Sequence, residues 1–154
     1  MSYCTQTYNA AGDIAPSRIS LERLLQLISE SEDDDEETLQ NVIDQAIEDA
    51  DSTIDGYSSK VYTVPFNPVP SKVKSLSVDI SVYNLFSKRV DASGGEVLEG
   101  VKKRYDDAIS FLKDIAKGNA RIDGAVVPTT NTKTTGGKFS SNPRVFGQDS
   151  LDQL

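Results

Sequence analysis

The chain has 154 residues, which suits one domain, and it contains no histidine, which excludes a histidine-based catalytic triad and the usual histidine-containing zinc sites. Its formal net charge of −8 disfavours non-specific binding to the phosphate backbone of nucleic acids. The single cysteine, Cys4, excludes an internal disulfide and favours a reducing compartment, and no apolar run approaches the ~20 residues of a membrane span.

The first part of the chain predicts an extended segment followed by a short helix. Residues 1–17 are mixed and polar and contain Gly12 and Pro16, so we expect an extended lead-in. Ser17 or Ser20 is placed to cap the helix that follows. The apolar positions of that helix, spaced as on one helical face, are Leu21, Leu24, Leu25 and Ile28.

The second predicted helix has the clearest periodicity in the chain. Its apolar residues recur at steps of three and four, which keeps one face apolar along its whole length. They are Leu39, Val42, Ile43, Ala46, Ile47, Ala50, Ile54, Tyr57 and Val61. The acidic residues 33–37 lie at its N-terminal end, where unsatisfied backbone N–H groups favour negative charge.

A proline-rich connector separates the second helix from the third. Pro65, Pro68 and Pro70 each bias the preceding residue away from helix, and Pro70 or Ser71 then begins the third helix. Two interpretations of this helix stay open, a central position in the bundle or a second face reserved for a neighbouring subunit, because it is apolar on two sides. One side holds Val73, Leu76, Ile80 and Tyr83, and the other holds Val78, Val82, Leu85 and Phe86.

A loop at residues 91–95 leads to the fourth predicted helix. Lys113 and Lys117 fall in its last turn and Gly118 follows, a pattern typical of a helix end. Beyond it, residues 126–142 are rich in Thr, Ser, Asn and Gly, a composition that cannot bury enough apolar area to order itself. The apolar positions of the helix are Val97, Val101, Tyr105, Ala108, Ile109, Leu112, Ile115 and Ala116.

The sequence therefore predicts an all-α fold, a small bundle of about four helices with an extended, low-complexity C-terminal arm. We divide it into a lead-in (residues 1–17), a helical domain (18–118) and a docking arm (119–154). Apolar residues return near the end of the arm, where exposure to water is unfavourable. We expect the arm to bind a partner, as peptides with apolar anchors do, through Phe139, Arg144, Val145, Phe146 and Leu151.

No residue pattern favours catalysis, a cofactor or a metal ion. The acidic run Glu30–Glu37 offers oxygen ligands but lacks the spacing and turn glycine of a calcium loop, so a solvated helix entry is favoured. Asp51 and Asp55 lie one helical turn apart, as paired catalytic carboxylates can, but on the predicted polar face, where solvated charges are normal. Four tyrosines could either line a ligand site or pack in the core: Tyr57, Tyr62, Tyr83 and Tyr105. Core packing is favoured, because three of them fall on the apolar faces of predicted helices.

Several segments together carry a family resemblance. They are Ile54–Tyr57, Tyr62–Pro65, Asp79–Tyr83, Lys103–Ala108 and Phe139–Phe146, followed by Ser150 and Leu151. In this order and spacing, over residues 38–154, the chain resembles the small head-completion proteins of Mu-like phages and prophages. Residues 1–37, which include the long acidic run, depart from that resemblance.

The resemblance implies an adaptor subunit of the head–tail connector, located in the virion neck and assembled in the cytoplasm of the host bacterium. Its copies would form a ring, expected to be a dodecamer, between the portal protein and a stopper or tail-terminator protein. DNA would pass through this ring without specific binding. Two other function classes stay open, a cytoplasmic helical regulatory or assembly-chaperone module and a metal-dependent nuclease that uses the acidic run.

Overall fold

The computed structural model describes residues 2–7, 10, 12–29, 35–93 and 98–128, and it leaves out the side chains of residues 89–93. In this part of the chain there are four helices and no strand, which confirms the all-α prediction. The helices are α1 (Leu21–Ile28), α2 (Glu36–Ser58), α3 (Ser71–Ser93) and α4 (Glu99–Lys117).

Local capping interactions explain where these helices begin and end. The hydroxyl of Ser20 accepts a hydrogen bond from the amide of Arg23 at 3.2 Å, which decides between the two predicted caps of α1. Asp35 caps α2 by accepting from the amide of Thr38 at 2.8 Å, so the end of the acidic run serves as a helix entry. Gly118 ends α4 with φ of 81°, a left-handed conformation that glycine adopts without a Cβ clash.

The third helix ends later than the sequence predicts. A loop is expected from residue 91, but α3 continues to Ser93. The reason is that the first strong helix breakers, Gly94 and Gly95, come only after this residue.

α3 has a central place in the bundle, because it contacts α1, α2 and α4 and is buried on both of its apolar sides. Its two apolar sides enter two separate core clusters. Val78, Val82, Leu85 and Phe86 pack with α1 and the first half of α2, whereas Val73, Leu76 and Ile80 pack with the second half of α2, the connector and α4. The central interpretation is confirmed, so these residues are buried within one chain rather than reserved for a neighbouring subunit.

The N-terminal segment, residues 2–15, contributes to the same core. Tyr3, Cys4, Ile14 and Ala15 are all buried. Gln6 joins the beginning of the segment to its end. Its Oε1 atom accepts hydrogen bonds from the amides of Ile14 at 3.1 Å and Ala15 at 2.9 Å. The expected lead-in is therefore a packed part of the domain.

Close packing and charge hold the N-terminal segment in place. Gly12 allows the backbone to pass close to Thr5 and Gln6. A Cβ atom at this position would lie 2.8 Å from Gln6 Oε1 and from the carbonyl oxygen of Thr5. Two salt bridges tie the segment and the residues after it to α3: Lys74–Asp13 at 2.8 Å and Arg18–Asp79 at 2.6 Å.

Candidate functional site

The arm residues predicted to bind a partner lie outside the described residues. They are Phe139, Arg144, Val145, Phe146 and Leu151. The part of the arm that the structure does describe is its root, residues 119–128, where the chain leaves the helical domain.

Two hydrogen bonds fasten the arm root to the connector, one to a side chain and one to the backbone. The amide of buried Ile122 donates to the hydroxyl of Tyr62 at 2.7 Å. The amide of Thr63 donates to the carbonyl of Val126 at 3.0 Å. The core therefore continues past residue 118, and the chain leaves from a defined point beside the connector.

Immediately after this point the chain presents apolar side chains to solvent. Val126 is 57% exposed and Val127 is 59% exposed. Beside Val126, a cleft of about 190 Å³ is lined by Thr63, Pro65, Phe66, Asn67, Pro68 and Val126.

A small aromatic cluster in the connector joins both non-helical segments to the bundle. Phe66 packs at 5.6 Å from the ring of Tyr3 and at 5.9 Å from the ring of Tyr62. The amide of Phe66 donates to the Tyr3 hydroxyl at 3.0 Å, while the Tyr62 hydroxyl accepts from Ile122. One tyrosine thus holds the N-terminal segment and the other holds the arm root.

Asp51 lies in a buried hydrogen-bond network, contrary to its predicted place on a solvated helix face. It is only 7% exposed and accepts hydrogen bonds from the Tyr3 amide at 2.8 Å and from the Ser77 hydroxyl at 2.6 Å. A weak signal exists in the sequence, because Asp51 comes four residues after Ile47 and three before Ile54 and so borders the apolar stripe.

The two carboxylates of the predicted pair therefore differ in environment. Burial raises the pKa of Asp51 above its ordinary value of 3.8, although the hydrogen bonds from Ser77 and Tyr3 oppose this shift. Asp55 is half-buried and accepts a hydrogen bond from the Tyr3 hydroxyl. Burial and this bond together raise the pKa of Tyr3 above its ordinary value of 10.0. The pair fastens the N-terminal segment to α2.

Cys4 belongs to the same network and is not placed as a nucleophile. It is 1% exposed, and its sulfur lies 3.2 Å from the Ser77 hydroxyl oxygen, within hydrogen-bond distance. Burial raises the pKa of the thiol to about 11, so the reactive thiolate is scarce at neutral pH.

One exposed face of α2 carries negative charge. A shallow depression of about 550 Å³ on this face is lined by Ser2, Asp44, Glu48, Asp51, Ser52, Asp55 and Pro65. The three salt bridges that join described residues involve Asp13 and Asp79, and none of them involves a carboxylate of this face. Such a face repels phosphate backbones.

Among the described residues, no group of three or more Cys, Asp or Glu side chains is arranged to hold a metal ion. Residues 30–34 of the acidic run are not among the described residues. No helix in the described part of the chain combines the length and hydrophobicity needed to cross a membrane.

The four tyrosines considered as a ligand-lining set are packing residues. Tyr62 is buried, Tyr57 packs against the second core cluster, and Tyr83 stacks on Tyr105 with ring centroids 3.8 Å apart. Tyr57 and Tyr62 therefore pack against the core as predicted, whereas half-buried Tyr83 also lines a groove between α2 and α3.

Comparison with known proteins gives the family. The model of the family described as "Bacteriophage Mu, Gp36" matches residues 3–141, which is most of the chain. The chain belongs to the bacteriophage Mu Gp36 family. It is thus a protein of a Mu-like phage or prophage, as the resemblance in the sequence indicates.

A curated relative supports this assignment. The Mu-like prophage FluMu protein gp36 of Haemophilus influenzae is 27% identical over 107 residues, covering 70% of this chain and 71% of the relative. The Gp36 family match begins at residue 3, so it includes the N-terminal segment, which the sequence resemblance left out. It ends at residue 141, which takes in Phe139 but not Arg144, Val145, Phe146 or Leu151.

Proposed function

We propose that this protein is a structural subunit of the virion, an adaptor of the head–tail connector. Copies of the chain form a ring, a dodecamer in this proposal, below the portal protein. The ring joins the portal to the stopper or tail-terminator protein in the neck. The subunit acts through surfaces and shape, without catalysis or a cofactor.

The observation that carries the proposal is the match to the Mu Gp36 family over residues 3–141. Two features of the molecule support it. The helical body holds both non-helical segments through buried tyrosines, which suits a building block with a fixed shape. The acidic face of α2 suits a subunit beside moving DNA, because negative charge does not retain phosphate groups.

The test of the role is a phage in which this gene carries a stop codon early in the chain. Electron microscopy of the lysate is expected to show filled or partly filled heads without tails, and free tails beside them. Complementation with the intact gene restores tailed particles. Normal tailed particles in the absence of the protein contradict the adaptor role.

A second measurement separates a virion subunit from an assembly chaperone. Particles purified on a density gradient are expected to contain the protein in the neck, at a ring's number of copies. Its absence from mature particles, together with tail loss in the mutant, favours the chaperone module instead.

The proposed passage of DNA has its own test. The purified protein is expected not to shift duplex DNA in a gel at moderate salt, because its charge is negative. A salt-sensitive complex at micromolar protein concentration contradicts this part of the proposal.

A further inference from the structure

A groove between α2 and α3 is open on the surface of the bundle. It has a volume of about 430 Å³, within the ~300–1,000 Å³ typical of ligand clefts. Its lining residues come from the first half of α2 and the second half of α3: Val42, Gln45, Ala46, Asp49, Tyr83, Asn84, Leu85, Ser87 and Lys88.

The walls of this groove are fixed before anything binds. The Asn84 side chain donates to the carbonyl of Ala46 at 3.2 Å and so joins the two helices at the floor. Tyr83 is held by its stacked partner Tyr105, at 3.8 Å and an interplanar angle of 15°. A preformed site binds its ligand with less loss of conformational entropy.

Apolar and charged groups occupy different parts of the groove. Leu85 and Ala46 lie in the buried floor, and Val42 and Tyr83 are half-buried beside them. The exposed rim carries one carboxylate on α2, Asp49, and Lys88 on α3. The complementary ligand is a short segment with apolar anchors and one charge of each sign.

We propose that residues 139–149 of this chain bind the α2–α3 groove. The segment has apolar anchors in Phe139, Val145 and Phe146. It also carries Arg144 and, five positions later, Asp149, which match the opposite charges of Asp49 and Lys88 on the rim. An arginine–carboxylate contact is charge-assisted and directional, so it fixes the register of the segment.

The length of the intervening chain allows this contact. Phe139 comes eleven positions after Pro128, and an extended chain spans ~36–40 Å over that many steps. The arm leaves the domain beside Thr63, just beyond the C-terminal end of α2, and Val42 lies sixteen helical residues before Ser58, a distance of ~24 Å. The segment is therefore long enough to reach the groove of its own domain.

The acidic depression on the other side of α2 is a poorer match for these residues. It attracts Arg144, but its lining is carboxylates, serines and Pro65, with no apolar floor for two phenylalanines. Buried aromatic side chains supply most of the area in such contacts, so the groove is favoured.

This inference rests on the arm being a docking element within the proposed adaptor, and it narrows the docking surface to one groove on this same protein. The test is disulfide trapping in the full chain with the variant Gln45→Cys/Val145→Cys. Gln45 is exposed on the groove rim. The matched control is Glu48→Cys/Val145→Cys, because Glu48 is also exposed on α2 but lines the acidic depression instead. Native Cys4 stays out of the reaction, since it is 1% exposed and the pKa of its thiol is raised to about 11.

Mild oxidation followed by non-reducing electrophoresis and peptide mass spectrometry gives the readout. The groove variant is expected to form its disulfide at least tenfold faster than the control. Mixing the two single-cysteine proteins distinguishes the source of the arm, because a disulfide in the mixture joins different copies, whereas one found only in the double variant joins a chain to itself. Either result supports occupancy of the groove by this segment. Equal rates for groove and control, or no disulfide in either, overturn the inference.

A charge exchange provides a second, independent readout. Asp49→Arg in the groove variant is expected to slow the disulfide, and adding Arg144→Asp is expected to restore its rate. A rate indifferent to both changes contradicts the proposed register. If the groove disulfide fails while deletion of residues 139–154 still gives heads without tails, the arm docks on another neck protein. The adaptor function then stands and this inference does not.

Discussion

The N-terminal segment (residues 2–15) and the arm root (residues 119–128) are alike in sequence but are treated differently by the fold. Both mix polar and apolar residues, contain glycine and lack a helical or strand period. The first buries Tyr3, Cys4, Ile14 and Ala15 and is held by side-chain hydrogen bonds at Tyr3, Ile14 and Ala15. The second buries Ile122 and then, within five residues, exposes Val126 and Val127.

The comparison shows that composition alone does not decide whether a segment packs into the core or extends away from it. Ordering the backbone costs ~1–2 kcal/mol per residue, and a segment stays ordered where burial and hydrogen bonds offset that cost. The N-terminal segment finds buried partners in Gln6, Asp51 and Asp55. The arm root finds Tyr62 and the Thr63 amide.

The largest effect is expected in the helical core, which sets the scale for both segments. Ile47 is 3% exposed, so Ile47→Ala is expected to lower the free energy of unfolding by ~2–5 kcal/mol through cavity formation. Urea denaturation followed by circular dichroism measures it. Val127→Ala, at an exposed position of the arm root, is the control and is expected to lie within ~0.5 kcal/mol of wild type. Equal curves for both variants contradict the core assignment.

Tyr3→Phe tests the attachment of the N-terminal segment. The change removes the hydroxyl that donates to Asp55 and accepts from the Phe66 amide. Because the buried Phe66 amide and the half-buried Asp55 carboxylate lose their partner, we expect a loss of ~2–3 kcal/mol in the same denaturation experiment. Hydrogen exchange is expected to quicken at Phe66 and Cys4 while the middle of α4 keeps its protection. An unchanged midpoint argues that the segment contributes no stability.

Tyr62→Phe is the matching change at the arm root. It removes only the acceptor for the Ile122 amide, so a smaller loss of ~1–2 kcal/mol is expected. Exchange should quicken at Ile122 and not at Tyr3. A loss larger than that of Tyr3→Phe reverses the order of the two attachments and contradicts the comparison.

The pH dependence of stability isolates the buried carboxylate. The raised pKa of Asp51 means that the folded state takes up its proton at a higher pH than the unfolded state. As the pH falls from about 7 toward the ordinary aspartate value of 3.8, wild type is therefore expected to gain stability relative to Asp51→Asn.

The control for this pH series is Asp13→Asn, for which the sign is opposite. Burial tends to raise the pKa of Asp13, but the hydrogen bonds from Lys74 and Thr5 outweigh it and lower the pKa. Wild type is thus expected to lose stability relative to Asp13→Asn as the pH falls below the ordinary aspartate value of 3.8. Two variants with the same sign of pH dependence contradict the assignment of the buried network.

The smallest effect on folding is expected from removing the end of the arm. Deleting residues 139–154 is expected to leave the helical circular dichroism signal and the denaturation midpoint within error, because the core closes by Ile122. In the phage, the same deletion is expected to prevent incorporation into the neck and to leave heads without tails. Tailed particles that contain the truncated protein show that the arm is a passive terminus.

The helices were predictable because each is specified by local signals. The period of apolar residues along α2, the capping Ser20 and the terminal Gly118 act within a few residues of the feature they specify. The predicted end of α3 is too early. The sequence predicts a loop from Asp91, whereas the helix continues to Ser93, just before the glycines. The central place of α3 was one of two open interpretations. A second apolar face has the same sequence pattern whether it is covered by the same chain or by a neighbouring subunit.

The sequence by itself determined the helical class, the end of α4 at Gly118, the family and the absence of histidine chemistry, all of which depend on residue identity and near neighbours. Only the tertiary structure decided that Asp51 is buried, that Tyr3 and Tyr62 hold the two non-helical segments, and that a groove lies open between α2 and α3. Tyr3 meets Asp51 across forty-eight positions of the chain, and Ile122 meets Tyr62 across sixty. Contacts of such separation leave no periodic trace in the sequence, because they depend on how the helices pack rather than on how each helix forms.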